Sequence, residues 1–382
     1  MEEWKEYRLG DISKMKYGKL PPKKNEGIYP IWSGYRNVGF ATTYNCRKGT
    51  IVVIARGVGG TGDVKISNED CYLTNLSISV ELDTNICVSQ YFYYKFKLSN
   101  LKYLNTGSAQ SQITIDDLKR LTLKLPSLEK QIRITDILSS IDSKIDLNRR
   151  INENLEQQAQ ALFKSWFVDF EPFKDGKFVD SELGRIPEGW RVGVLADIAN
   201  ITMGQSPKGT SYNEIGDGIS FYQGRAEFGN RFPSVRLFTT EPSRYAEPYS
   251  VLLSVRAPVG DINIAVERCC IGRGLASILS KNKHQSFVLY TMFFLKKELD
   301  KFNSEGTVFG SINRSSLENL KIIIPPVDII DKFENLTSKI DVMLLNLFQE
   351  TTSLAQLRDT LLPRLMSGEL AITDVDDRSI FQ

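Results

Sequence analysis

Histidine is almost missing from this chain: the only one is His284, in the polar run SKNKHQSF. One histidine excludes an H-E-x-x-H dyad and leaves little room for a histidine-based triad. No G-x-x-x-x-G-K-[ST] stretch is present, which removes a Walker nucleotide site, and no N/D-P-P-Y/F tetrapeptide of the amino-methyltransferase type occurs. The five cysteines are an odd number without a C-x-x-C pair, so neither a zinc site nor a disulfide framework is expected, and buried reduced thiols are. No run of twenty apolar residues occurs and the N-terminus, MEEWKEYRLG, is charged, so neither a membrane span nor a signal peptide is expected and a cytoplasmic protein is. Carboxylates are plentiful but show no recognisable nuclease pattern. The expectation is a binding protein with no catalytic centre, metal or cofactor of its own.

The 382 residues, 41% hydrophobic and 25% charged, fit two or three ordinary globular domains. Two stretches fit no globular domain. In the first, PSLEKQIRITDILSSIDSKIDLNRRINENLEQQAQALFKSWFVDF, Ile134, Ile141, Asn148, Leu155 and Leu162 recur every seven residues. Leu138, Ile145, Asn152, Ala159 and Trp166 form the companion row, which makes a coiled-coil seam. Pro126 and Ser127 supply a helix start. From Leu128 to Trp166 the helix would be about 58 Å long at 1.5 Å per residue, too long to go without a partner helix. Asn148 and Asn152 cost stability inside the seam and can fix its register.

The partner lies in the same chain. After Pro325, the residues Phe333, Ile340, Leu347, Leu354 and Leu361 are again seven apart, with Leu336, Met343 and Leu357 as companions. The tetrapeptide SKID occurs in both stretches, at Ser143–Asp146 and Ser338–Asp341. An antiparallel intramolecular coiled coil is expected, with Pro363 ending the second helix.

Charge follows the same division. Residues 1–125 carry a net charge of +6 and residues 186–325 of +3, whereas residues 126–185 carry −2 and residues 326–382 carry −5. Basic globular parts suit phosphates; acidic helices suit protein docking.

The globular parts repeat. Trp190, Leu195, Asp197, Ile198 and Gly204 match Trp4, Leu9, Asp11, Ile12 and Gly18 at a constant offset of 186. SVLLSVRAPVGDINIAV answers TIVVIARGVGGTGDVKI, setting Arg256 opposite Arg56, and GTVFGSINRSSLENLKIIIP answers GSAQSQITIDDLKRLTLKLP. The stretches TIVVIARG and LSISVEL read as strands and QYFYYKFKLSNLKYL as a helix. GVGGTG formally matches G-x-G-x-x-G, but DVKIS after it reads as a strand, so it is a turn between strands rather than a dinucleotide site. The organisation is therefore α+β: two mixed, strand-rich domains (1–125 and 190–325), each followed by a long helix (126–170 and 326–370). An irregular linker (171–189) separates the halves and an acidic tail (371–382) follows.

A repeated scaffold with diverged polar loops suits a reader of two different ligand segments. Lys14, Lys16, Lys19, Lys23 and Lys24 crowd one stretch that reads as a loop. The candidate DNA contacts are Lys19, Lys23, Arg56, Gln110, Ser111 and Gln112 in the first domain. In the second they are Gln205, Lys208, Arg225, Arg256, Arg273 and Arg314. Gln and Ser can read base edges, and Arg and Lys can hold phosphates. Gln110→Ala is expected to relax sequence preference and Lys23→Ala to weaken binding equally on all sequences. Arg56 and Arg256, at equivalent positions, could instead be structural. Two other readings compete: a scaffold whose duplicated domains bind proteins or glycans, which predicts no salt-dependent DNA affinity, and a self-contained nuclease, which predicts magnesium-dependent cleavage by the chain alone.

With ALFKSWFVDFEPF after the first helix, SELGRIPEGW opening the second half, VRAPVGDINIA within it and LRDTLLPRLMSGEL near the end, the chain resembles the specificity (S) subunits of Type I restriction–modification systems. The resemblance covers essentially the whole chain. It implies two target recognition domains, each binding one half of a split, asymmetric sequence in double-stranded DNA. It implies helices that act as spacer and as docking site for two modification (M) subunits, with restriction (R) subunits completing the endonuclease. S-adenosylmethionine, ATP and Mg2+ would sit on those partners, with no membrane involved. A 58 Å helix spans at most about 17 base pairs at 3.4 Å each.

Overall fold

A computed structural model describes residues 4–22, 26–57, 60–97, 99–105, 111–303 and 310–370. The chain divides into two compact units, residues 1–146 with 353–382 and residues 147–352. Each long helix therefore contributes one part to each unit.

In the first unit, the strands Ser13–Tyr17, Ser77–Leu82, Ile51–Ile54 and Val64–Ile66 form, in that spatial order, an antiparallel sheet. Its β-branched run IVVI is buried throughout, as a central strand requires. Lys14 and Lys16 belong to the first of these strands rather than to a loop, because the alternating Ser13, Met15 and Tyr17 fit a pleated edge; Lys16 reaches diagonally to Glu81, the register partner of Lys14, at 4.0 Å. A second sheet orders Arg36–Ala41, Tyr29–Ser33 and Tyr72–Leu73. The helix Ser89–Lys97 buries Tyr91, Phe92, Tyr94 and Phe96 and stops there; Lys102–Leu104 is a separate 3-10 turn. A capping box, Thr114 with Asp117, starts the short helix Ile115–Lys119. The strand Thr122–Leu125 then pairs with Lys5–Arg8, so the domain closes its own ends before the chain enters the long helix Leu128–Phe167.

The second unit repeats this frame. Ala199–Met203, Leu275–Ser280, Val251–Ser254 and Ile262–Ile264 form the matching four-stranded sheet. A five-stranded sheet orders Tyr212–Asn213, Leu237–Thr239, Ile219–Tyr222, Cys269–Ile271 and Tyr245–Ala246. Arg191–Val194 pairs with Lys321–Ile324, and the second long helix, Val327–Ser367, follows.

The two long helices run antiparallel within each unit. In the first, Ile137, Ile141 and Ile145 cluster with Leu354, Leu357 and Leu361, and Ile134 and Leu138 share a core with Leu362, Leu365 and Met366. In the second, the Asn148 amide donates to Glu350 at 2.7 Å and the Phe163 ring lies 5.8 Å from that of Phe333. The seam on the second helix is wider than its heptads suggest. Leu336 and Met343 are about half exposed, at 50% and 47%, while Phe333, Thr337, Leu344 and Leu345 are buried. The stretch is apolar on more than one side, so spacing alone does not say which side is covered. Pro363 does not end this helix, which continues to Ser367. Burying Leu362, Leu365 and Met366, worth about 1.5–3 kcal/mol each, offsets the roughly 3 kcal/mol cost of a mid-helix proline. The helix stops at Gly368, whose φ of +79° suits only glycine without strain.

The segment 171–189 is structured rather than an irregular linker. It holds a 3-10 turn, Glu171–Phe173, and an antiparallel hairpin, Phe178–Ser181 with Gly184–Pro187. Its aromatic neighbours anchor it: Phe173 and Phe170 lie 5.0 and 5.5 Å from Trp190, and Phe167 lies 5.1 Å from Phe287. The motif ALFKSWFVDFEPF is thus the aromatic core at the end of the first long helix.

Candidate nucleic-acid interface

In each domain the same four segments meet at one edge. In the first, Lys19 N–H donates to Leu73 O at 3.0 Å, Ala55 and Arg56 N–H both donate to Leu76 O, and Ile113 N–H donates to Ala55 O at 2.9 Å. In the second, Gln205 N–H donates to Ile271 O at 3.0 Å, Val255 N–H to Gly274 O at 2.9 Å, and Ile312 N–H to Val255 O at 3.1 Å. Arg56 bridges to Gln112 and Arg256 bridges to Ser311, both antiparallel. Gly18 and Gly204 make this meeting possible. A Cβ on Gly18 would stand 2.1 Å from Thr74 O, and one on Gly204 would stand 2.1 Å from Gly272 O.

The edge gathers Lys19, Arg56, Ser111 and Gln112 in the first domain and Gln205, Arg256 and Arg273 in the second. Arg56, Arg256 and Arg273 are exposed, as are Lys19 and Gln205; Ser111 and Gln112 are half-buried. Gln112 is fixed through its backbone, whose N–H donates to the Asn105 side chain at 2.7 Å. Tyr17 links the first edge to the short helix, its hydroxyl accepting from Ile115 N–H at 3.1 Å. Lys208 is exposed at the start of the 3-10 turn Gly209–Ser211. Lys23 and Gln110 lie outside the described residues.

Two candidates have internal partners. Arg225 is paired with Asp261, which also takes Lys296 at 3.1 Å. Burial alone would raise the Asp261 carboxyl; the bonds from Arg225 and Lys296 outweigh it and hold the group below its ordinary value. Arg314 pairs with Glu318 one turn along its own helix at 2.8 Å. The exposed side chains of Lys19, Gln205 and Arg273 have no such pair among the described residues.

Sequence reasoning missed two features of these surfaces. Asn75 occupies in the first edge the place that Arg273 takes in the second, one residue before the carbonyls of Leu76 and Gly274. The offset of 198 between matched strands, read carefully, would have found it. The edge strand Arg36–Ala41 exposes Arg36, Asn37, Val38 and Phe40 in sequence rather than alternately. Its mixed composition gave no strand signal.

Both domains are held on their helical parts by charge, half-buried in the first unit and buried in the second. Asp142 accepts from Lys97 at 2.7 Å, Tyr94 at 2.9 Å and Arg358 at 2.8 Å. In the second unit Arg231, only 8% exposed, bonds to Glu156 and Asp341, and Tyr290 donates to Asp341 at 2.8 Å. Burial pushes the Asp341 carboxyl up in spite of Arg231 beside it. Among the described residues no group of three or more His, Cys, Asp or Glu side chains is arranged to hold a metal ion, and no helix is long and apolar enough to cross a membrane.

Comparison with known proteins agrees with this architecture. The family model of the Type I restriction modification DNA specificity domain matches residues 1–157 and again 187–350, which fits the duplication. The chain is similar to the MjaIX type I restriction enzyme specificity subunit of Methanocaldococcus jannaschii, at 31% identity over 97% of this chain and 89% of that one. It is also similar to the HindI specificity subunit of Haemophilus influenzae, at 25% identity over 97% of this chain and the whole of that one. Its fold matches the solved S subunit from M. genitalium, with a TM-score of 0.69, 21% identity and 95% of this chain covered. The chain belongs to the Type I restriction–modification specificity subunits, the DNA-recognition components of those systems.

Proposed function

We propose that the two domains read the two halves of a split, asymmetric DNA sequence, each through the edge described above. The observation that supports this is a shared frame carrying different side chains. Arg56 and Arg256 are common to both edges, whereas Lys19 faces Gln205, Asn75 faces Arg273 and Gln112 faces Ser311 in the superposed pattern of bonds. A group common to both suits a phosphate, and groups that differ suit bases. The chain is non-catalytic in this reading and binds no cofactor. The helical parts dock two M subunits, which carry S-adenosylmethionine, and R subunits with ATP and Mg2+ join in the full cytoplasmic complex. The scaffold alternative finds no support in the relatives named above, which are specificity subunits.

The test is methylome sequencing of cells expressing this chain with and without its M-type partner. A split motif carrying methyladenine only when both are present supports the proposal. Exchanging Lys19, Asn75 and Gln112 together for Gln, Arg and Ser should change the bases of one half only. A change in both halves, or in neither, would overturn the assignment of the first edge.

A further inference from the structure

Two of the five cysteines face each other. Cys46 N–H donates to Cys71 O at 3.0 Å and Cys71 N–H donates to Cys46 O at 2.9 Å. That reciprocal exchange marks a hydrogen-bonded antiparallel pair, with Cα atoms about 5.5 Å apart and side chains on one face. The spacing lies within the roughly 4.4–6.8 Å that a disulfide spans. The Cys46 thiol donates to Arg47 O at 3.7 Å, and the Ser67 hydroxyl lies 3.3 Å from Cys71 Sγ. All five cysteines are free and buried in this state.

We propose that Cys46 and Cys71 form a reversible redox site in the first recognition domain, oxidised to a cross-strand disulfide by a small peroxide. Access runs through a cavity of about 190 Å³ lined by Cys71, Trp32, Lys65, Ser67 and Glu69, which reaches Cys71 but not Cys46. The thiols are unequal in the same sense. The neighbouring Cys46, helped by Ser67, brings the Cys71 thiol down to about 7, whereas Cys71 together with burial pushes the Cys46 thiol up. Cys71 is therefore the attacking sulfur and Cys46 the resolving one. The Cys71 thiolate attacks one oxygen of hydrogen peroxide, the O–O bond breaks and hydroxide leaves, giving a sulfenic acid. The Cys46 sulfur then attacks the Cys71 sulfur. The S–S bond forms, its hydroxyl leaves as water with the Cys46 proton, and the peroxide has been reduced to two waters while two thiols have been oxidised.

The second domain supplies a control. At the corresponding antiparallel bridge Ala246 faces Cys269, so the same backbone there lacks one sulfur. Cys269 and Cys270 are neighbours in one strand, where successive side chains point to opposite faces.

The experiment treats the full chain with hydrogen peroxide, then unfolds it, alkylates the thiols and maps the peptides by mass spectrometry. The expected result is loss of two alkylatable thiols, a linked peptide joining Cys46 to Cys71, and recovery of both thiols with dithiothreitol. The oxidised chain should melt about 5–10 °C higher than the reduced one in the transition of the first unit. Cys46→Ala, which gives this bridge the residue found in the second domain, should leave Cys71 as a sulfenic acid trapped by dimedone. Five alkylatable thiols after peroxide, a bond mapped to Cys269 and Cys270, or a dimedone adduct on Cys71 of the unaltered chain without a disulfide would each overturn the proposal. The mapping uses the unaltered chain, so the test stands if the Cys46→Ala chain does not fold.

Discussion

Arg231 shows how much one residue can hold. Its guanidinium is buried with Glu156 of the first long helix, Asp341 of the second and the Tyr290 hydroxyl of the domain, and its Nε has no partner within the chain among the described residues. Replacing it leaves two carboxylates facing each other out of water. Arg231→Ala should cost about 3–5 kcal/mol, read from urea unfolding of the second unit, while Arg231→Met together with Asp341→Leu and Glu156→Gln should recover most of it. Recovery would show that the charges position the domain more than they stabilise it. Asn148 is a second case. It is fully buried, its amide bonds Glu350, and its Oδ1 has no partner among the described residues. Asn148→Leu should raise stability by about 1 kcal/mol and loosen the register of the helix pair, visible as altered disulfide cross-linking between engineered seam cysteines. Sequence spacing placed Asn148 in the seam at once. Neither Glu350 nor Arg231 was legible, because a partner 202 residues away has no local signature.

At the scale of elements, the heptads gave both long helices and their pairing, since a period of seven survives whatever covers it. They did not give the covered side. Leu336 and Met343 keep the spacing and remain about half exposed because the domain core claims Phe333 and Thr337 instead. Proline misled in the same way: a local rule, the clash with the preceding turn, lost to burial of Leu362 and Leu365. Pro363→Ala should therefore stabilise the first unit by up to about 3 kcal/mol without moving the helix end at Gly368, measurable by denaturant unfolding and hydrogen exchange. The Asp142 clasp adds a pH dependence. Burial alone would raise its carboxyl, but the bonds from Lys97, Arg358 and Tyr94 outweigh burial and hold it below the ordinary 3.8. The folded chain thus releases this proton more readily than the unfolded one. The clasp's contribution is complete above the unfolded value and disappears as pH falls through the folded value. Asp142→Asn should be clearly less stable than the unaltered chain at pH 6, and the gap should narrow towards pH 3.

For the whole molecule, the segregation of charge decides what the two readers can do before any base is read. The domains carry the positive charge and the helical stretches the negative, so non-specific attraction to DNA belongs to the domains. If Arg56 and Arg256 each neutralise one phosphate, each removal releases about 0.9 fewer counterions on binding. Arg56→Ala and Arg256→Ala should each lower the magnitude of the slope of log K against log salt by about 0.9, and the double variant by about 1.8. Preference among half-site sequences should hardly move, since a residue common to both edges cannot tell the two halves apart. The exchange at Lys19, Asn75 and Gln112 should do the opposite, changing sequence preference with a smaller effect on the salt slope. Should Arg56→Ala alter preference at one base pair instead, that arginine reads the groove, and the two edges share a fold without sharing a division of labour.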